Sequence, residues 1–158
     1  MNDPDRSDSL DAAMRAHRPA LGERAGRVIA ITGAGDGIGR AVALAAAAHG
    51  AEVVLIGRTV RRLEATHADI AALGGAATIA PLDLERALAG DYDGLAAALQ
   101  QRYGRLDGLL HNAALLGSLA PIELCDVPTW VRVLHVNLTA AMALTQVLLP
   151  MLRSAPEP

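Results

Sequence analysis

The sequence predicts an α/β fold built on a doubly wound parallel sheet, and three observations carry that prediction. Short, continuously apolar runs rich in β-branched residues alternate with longer helical patterns. Glycines close the helical patterns, at Gly50 and at Gly74-Gly75. A glycine-rich turn, Thr32-Gly33-Ala34-Gly35-Asp36-Gly37-Ile38-Gly39, joins the first apolar run to the first helical one.

Each element follows from its residues. Val28–Thr32 reads as a strand buried on both faces, and Ile38–His49 as an Ala-rich helix closed by Gly50. Glu52–Ile56 is a second buried strand, followed by a helix over Val60–Leu73. A weaker third strand, Ala77–Ala80, ends at Pro81-Leu82-Asp83. A helix is expected over Asp91–Tyr103 and a fourth strand over Leu106–His111. From Val127 the pattern is helical, Pro128 suits a first helical turn, and a long helix is expected from about Asn137 to Leu152 with Pro150 disturbing its end. Strands that alternate with helices in this way pair in parallel through helical crossovers. The expected sheet order is 3-2-1-4, a Rossmann-type sheet truncated after about four strands. Residues 1–24 are polar and aperiodic and read as a flexible arm, with a short helix around Leu10–His17. Residues 25–153 form the incomplete nucleotide-binding domain, and residues 154–158 a tail without periodicity.

Composition narrows the function. The chain has 158 residues, enough for one domain with a real core, and is 52% apolar. There is no Phe, and Trp130, Tyr92 and Tyr103 are the only aromatic side chains, too few for base-stacking platforms. A net charge of −3 argues against a nucleic-acid partner. Cys125 is alone, so neither a disulfide framework nor a thiolate metal cluster is expected, and no metal site is assigned; an apolar neighbourhood makes Cys125 a core filler. The N-terminus lacks an apolar signal region, and no window holds 18 uninterrupted apolar residues, so no membrane span and a cytoplasmic location are expected.

The glycine-rich turn sits where a strand feeds a helix. Glycines there permit a tight turn and close approach to phosphate, and the helix N-terminus offers unpaired N–H groups to a pyrophosphate. Thr32, Gly33, Gly35, Asp36, Gly37, Ile38 and Gly39 are therefore candidate cofactor-binding residues. At the end of the second strand an acidic residue would hold a ribose 2′-hydroxyl. Gly57-Arg58-Thr59 stands there instead. A small residue followed by Arg58 leaves room and charge for a 2′-phosphate, which predicts NADP(H) over NAD(H). The competing reading makes Arg58 a solvated loop charge; Arg61 and Arg62 could assist it, but are expected on an exposed helix face.

These residues resemble the short-chain dehydrogenase/reductase family, over about residues 27–152. Thr32–Gly39 is similar to its Thr-Gly-x-x-x-Gly-x-Gly motif. Asp83-Leu84 is similar to the third-strand Asp that caps the adenine ring, and His111-Asn112-Ala113-Ala114 to the Asn-Asn-Ala-Gly motif after the fourth strand. Val136-Asn137 is similar to the helix Asn that supports the catalytic centre through a water. The stretch His111–Gly117 resembles a bacterial NADP-type subgroup. The resemblance implies that Asp83, Leu84, Asn112 and Ala113 hold cofactor, that Asn137 supports catalysis, and that hydride moves between NADP(H) and a small-molecule carbonyl or alcohol. Two positions depart from the motif. Ala114 replaces Gly, which would cost energy if the backbone needed a positive φ there. His111 replaces the first Asn and reads as a hydrogen-bonded core group.

The family's chemistry also needs a Ser and a Tyr-x-x-x-Lys, the Lys lowering the Tyr pKa. This sequence contains no lysine. Tyr92 is followed four residues on by Ala96, and Tyr103 by Asp107. Ser118 and Ser154 are not placed after a fifth strand. The chain alone is therefore expected to be inactive. Strand 4 would be an apolar edge, and the last helix has Leu and Val on more than one face, so self-association through both is expected. Two further readings remain at this stage: a non-catalytic nucleotide-binding module or one half of a two-chain protein, and a decayed product without function.

Overall fold

The computed structural model describes residues 22–156. Its centre is a four-stranded parallel sheet in the order β3-β2-β1-β4, as expected. The strands are β1 (Val28–Thr32), β2 (Glu52–Gly57), β3 (Ala76–Pro81) and β4 (Gly108–Leu110). Between and after them lie α1 (Gly37–Ala48), α2 (Val60–Ala72), α3 (Ala89–Tyr103), α4 (Val127–Leu134) and α5 (Ala140–Arg153). The proposed helix Leu10–His17 and most of the 1–24 arm lie outside the described residues. Within 22–24, the Arg24 amide donates to His49 O at 3.0 Å.

Strand alternation builds two cores. Along β2, Val53 and Leu55 join Ala43, Ala47, Leu63 and Ile70 under α1 and α2. Val54 and Ile56 join Tyr92, Leu99, Val136, Leu144 and Leu148 on the opposite face, under α3 and α5. Both faces being covered is why these strands read as unbroken apolar runs. In α1 the buried positions are Gly39, Ala43 and Ala47, four apart on one face and all small, which brings this helix close to the sheet.

Three elements differ from the sequence expectation. β4 covers three residues, not Leu106–His111. The Asp107 side chain accepts from the Val28 amide at 2.8 Å, and the Asp107 amide donates to Val28 O, so a carboxylate occupies the first rung of this ladder. After Leu110 the chain is drawn to Thr32 Oγ1 instead of continuing the pairing. The last helix starts ten residues earlier than Asn137 and runs unbroken over Val127–Arg153, through one π-helical turn at His135–Thr139. Asp126 caps it, accepting from the Thr129 amide at 2.8 Å. Pro150 lies inside the helix, which continues to Arg153. The tail begins ordered, with Ala155 buried.

By length and composition the 27-residue helix could cross a membrane, although polar residues interrupt its apolar run. Here its stripe Val136, Ala140, Leu144, Leu148 and Met151 is buried against the sheet layer. Cys125 is half-buried beside a 3₁₀ turn (Ile122–Leu124), not in the core. His111 is hydrogen-bonded, to Thr145 Oγ1 at 2.8 Å, but is exposed, because β4 ends before it. Ala114 carries no strain: no non-glycine residue among the described residues has a positive φ.

Candidate cofactor site

A cleft of about 300 Å³ opens at the C-terminal ends of the strands, the place where parallel α/β sheets bind ligands. Of the residues expected from sequence, Thr32, Gly33, Gly35, Asp36, Arg58, Asp83, Leu84, Asn112 and Ala113 line it. Gly37 and Ile38 stand at the start of α1, with Ile38 exposed. Gly39 lies beneath the turn, where a Cβ would overlap the Asn112 amide and the Gly33 carbonyl. Asn137 does not line the cleft.

The glycine turn is held from the far side of β1. Thr32 is 1% exposed, and its hydroxyl accepts from the amides of Asn112 (3.0 Å) and Ala113 (3.1 Å) while donating to Leu110 O (3.3 Å). The Asn112 side-chain amide donates to Thr32 O at 3.0 Å. Thr32 is thus fully engaged in fastening β1 to the segment after β4, and it shapes the cleft floor. Asn137 does the same for that segment's next stretch, exchanging two hydrogen bonds with the Leu115 backbone.

Charge is arranged in pairs. Asp36 caps α1 by accepting from the Gly37 amide at 2.8 Å, and its other oxygen meets Arg62 Nη1 at 2.9 Å. Arg62 stands on an exposed helix face as expected, with its side chain 62% exposed, and it also lines the cleft, its Cβ so near Gly35 that a methyl there would sit 2.9 Å from it. Arg58 faces Glu85 at 3.7 Å, and Arg132 binds the same carboxylate at 2.8 Å. The bonded Arg132 guanidinium holds the Glu85 carboxyl below its usual range, with Arg58 and Arg86 adding to the effect and burial opposing it. Asp83 accepts from the Glu85 amide and lies 4.0 Å from Arg86. Sequence reasoning missed Glu85 and Arg132. Glu85, two residues past Asp83, could have been noticed by its position; nothing in the sequence marked Arg132.

The residues fit a dinucleotide phosphate. Gly37 has φ +53°, with open space where a Cβ would stand, at the N-terminus of a 12-residue helix. The Arg58 side chain is 60% exposed at the cleft's other end. Neither tyrosine reaches this cleft. Tyr103 donates to Glu52 at 2.8 Å near the opposite, N-terminal ends of the strands, and Tyr92 is buried in the core under α3.

Fold and cleft together define a nucleotide-binding α/β module. Residues 27–157 match the short chain dehydrogenase family, and the chain belongs to that family. The site is accordingly one for NAD or NADP. The oxidoreductase YciK of Escherichia coli K12 is 40% identical over 127 residues, 80% of this chain and 50% of that protein. A short chain dehydrogenase structure from Pseudomonas syringae superposes with a TM-score of 0.84 at 44% identity, covering 89% of this chain and 57% of the other. One from Shigella flexneri 2a, complexed with NADP, gives a TM-score of 0.82 at 36% identity, over 87% of this chain and 58% of that one. The chain spans about half the length of the curated relatives it matches.

Proposed function

We propose that this chain binds NADP(H) in preference to NAD(H), serving a cytoplasmic oxidoreductase that moves hydride between the nicotinamide and a small carbonyl or alcohol. The observation that carries this reading is Arg58, an exposed guanidinium beside Gly57 at the end of β2, where the sequence Gly57-Arg58-Thr59 offers the cleft no carboxylate for a ribose 2′-hydroxyl. A guanidinium offers phosphate a rigid fork of donors. The NADP-complexed relative supports the same reading. The nicotinamide supplies or accepts the hydride, and the substrate oxygen gains or loses a proton. The cleft residues of this chain bind and orient; they include no Tyr–Lys pair to move that proton, so the 158 residues bind cofactor without turning over a carbonyl.

Calorimetric titration with NADPH and NADH tests the reading. NADPH is expected to bind about 10–100-fold more tightly, and Arg58→Ala to abolish that margin. Equal or tighter NADH binding overturns it.

We further propose that two copies associate through the outer edge of β4 and the last helix. β4 pairs only with β1 among the described strands, and Leu134, Leu138 and Met142 are exposed at successive turns of one helix face. Sedimentation of wild type against Leu138→Glu checks this: a monomer in both contradicts it.

A further inference from the structure

We propose that Arg132, outside the cleft, is a positioning residue that sets cofactor preference by keeping Glu85 neutralised and beyond hydrogen-bond reach of Arg58. The inference rests on Arg58 being the 2′-phosphate ligand.

The charge balance of the cleft motivates it. Three lining carboxylates, Asp36, Asp83 and Glu85, face two lining guanidinium groups, Arg58 and Arg62, an excess of one negative charge. A 2′-phosphate is itself anionic, and such a lining repels it. Arg62 is committed to Asp36 at 2.9 Å. Arg58 is left as the cation for the phosphate, and its competitor is Glu85.

Glu85 is shared unequally. Arg132 Nε takes Oε1 at 2.8 Å in a hydrogen-bonded ion pair, whereas Arg58 Nη1 approaches Oε2 at 3.7 Å, beyond hydrogen-bond length. A phosphate arriving at Arg58 therefore displaces only the looser contact, and Glu85 stays neutralised by Arg132. Without Arg132, both Glu85 oxygens turn to Arg58, and an uncompensated carboxylate faces the phosphate. NAD(H) has no 2′-phosphate, so its binding does not feel the difference. Arg132 sits on α4, 47 residues from Glu85, and its side chain is 56% exposed, so replacing it leaves the core intact.

The test is a double-mutant cycle read by calorimetric binding of NADPH and NADH, with Arg58→Ala in parallel. Arg132→Ala is expected to weaken NADPH about fivefold and NADH by less than about twofold. In a Glu85→Gln background the same replacement is expected to change neither, because the carboxylate it guards is gone. Equal losses for both cofactors, or a loss that persists with Glu85→Gln, make Arg132 a structural residue and overturn the proposal; so does an unchanged NADPH affinity. If Arg58→Ala leaves the preference intact, the 2′-phosphate reading itself fails, a result separable from the others.

Discussion

Asn137 and Leu115 are joined by a reciprocal pair of hydrogen bonds: the Leu115 amide donates to Oδ1 at 2.8 Å, and Nδ2 donates to the Leu115 carbonyl at 2.9 Å. The side chain thus pairs with backbone as a neighbouring strand would, beyond the point where β4 has ended. Asn137 lies within the π-helical turn His135–Thr139. Replacing Asn137 by Ala leaves both groups to solvent and should lower stability by about 1 kcal/mol, with faster hydrogen exchange at the Leu115 amide. Asn137→Asp keeps an acceptor and should protect that amide better than Ala does. Unchanged exchange in Asn137→Ala would show that the segment is held by other contacts.

Thr32 offers a contrast between shape and hydrogen bonding. Thr32→Val keeps the shape but removes the acceptor of the part-buried amides of Asn112 and Ala113. The expected loss is about 3 kcal/mol in urea unfolding, whereas Thr32→Ser should retain most of the stability. Equal behaviour of the two variants would remove the hydroxyl's fastening role.

The glycines divide by what surrounds them. Gly39→Ala forces a methyl into Asn112 and the Gly33 carbonyl, and should cost about 1–3 kcal/mol and impair nucleotide binding. Gly37→Ala meets no atom but must hold φ +53°, a cost of about 1–2 kcal/mol from the backbone alone. Thermal melts with and without NADPH separate the two. Gly39→Ala should lose the cofactor-induced rise in Tm.

Stability should fall on mild acidification because of His111. Although the residue is exposed at the surface, partial desolvation of its ring holds this imidazole below its ordinary value of 6.5. The Thr145 hydroxyl already donates to Ala141 O, so it accepts from His111 Nε2–H. As pH falls, the unfolded chain takes up the His111 proton before the folded chain does. The stability contributed by the neutral ring is whole above about pH 6.5 and is lost as pH drops toward the lowered folded value. Glu85 and Asp126, whose carboxyls are also held low, lose their contributions below the ordinary carboxyl range, in a separate window. Urea midpoints at about pH 7.5 and 5.5 should differ more in wild type than in His111→Gln. An identical pH dependence in the variant would assign the effect elsewhere.

Tyr92 has a buried hydroxyl that finds no hydrogen-bond partner among the described residues. Desolvation pushes its pKa up, and Asp91 adds to the shift. Tyr92→Phe should therefore be neutral or stabilise the fold by up to about 1 kcal/mol. A clear loss of stability would reveal a partner for that hydroxyl.

The strands β1 and β2 and the helices α1 and α2 were legible because one signal, unbroken apolar runs punctuated by glycine, reports burial on both sheet faces. β4 was overestimated because apolar character continues past the point where pairing stops. Asp107, polar and only 2% exposed at its side chain, delays the start of β4 by taking the Val28 amide itself, and periodicity carries no trace of that substitution. The early start of the last helix is marked in the sequence by Pro128 and by Asp126, whose side chain caps it. His111, at the end of an expected buried strand, and Cys125, in an apolar stretch, both read as core groups, yet both fall where regular structure has ended and solvent enters.

The sequence alone determined the fold class, the strand order, the glycine-rich turn and the absence of a Tyr–Lys pair, since each is written in residue types at short spacing. The tertiary structure alone decided how charge is distributed around the cleft. Arg62 reaches Asp36 across 26 residues, and Arg132 reaches Glu85 across 47. Ion pairing depends on distance in space, and a carboxylate two residues from a cofactor position looks the same in sequence whether it repels the ligand or is already held by an arginine from another helix.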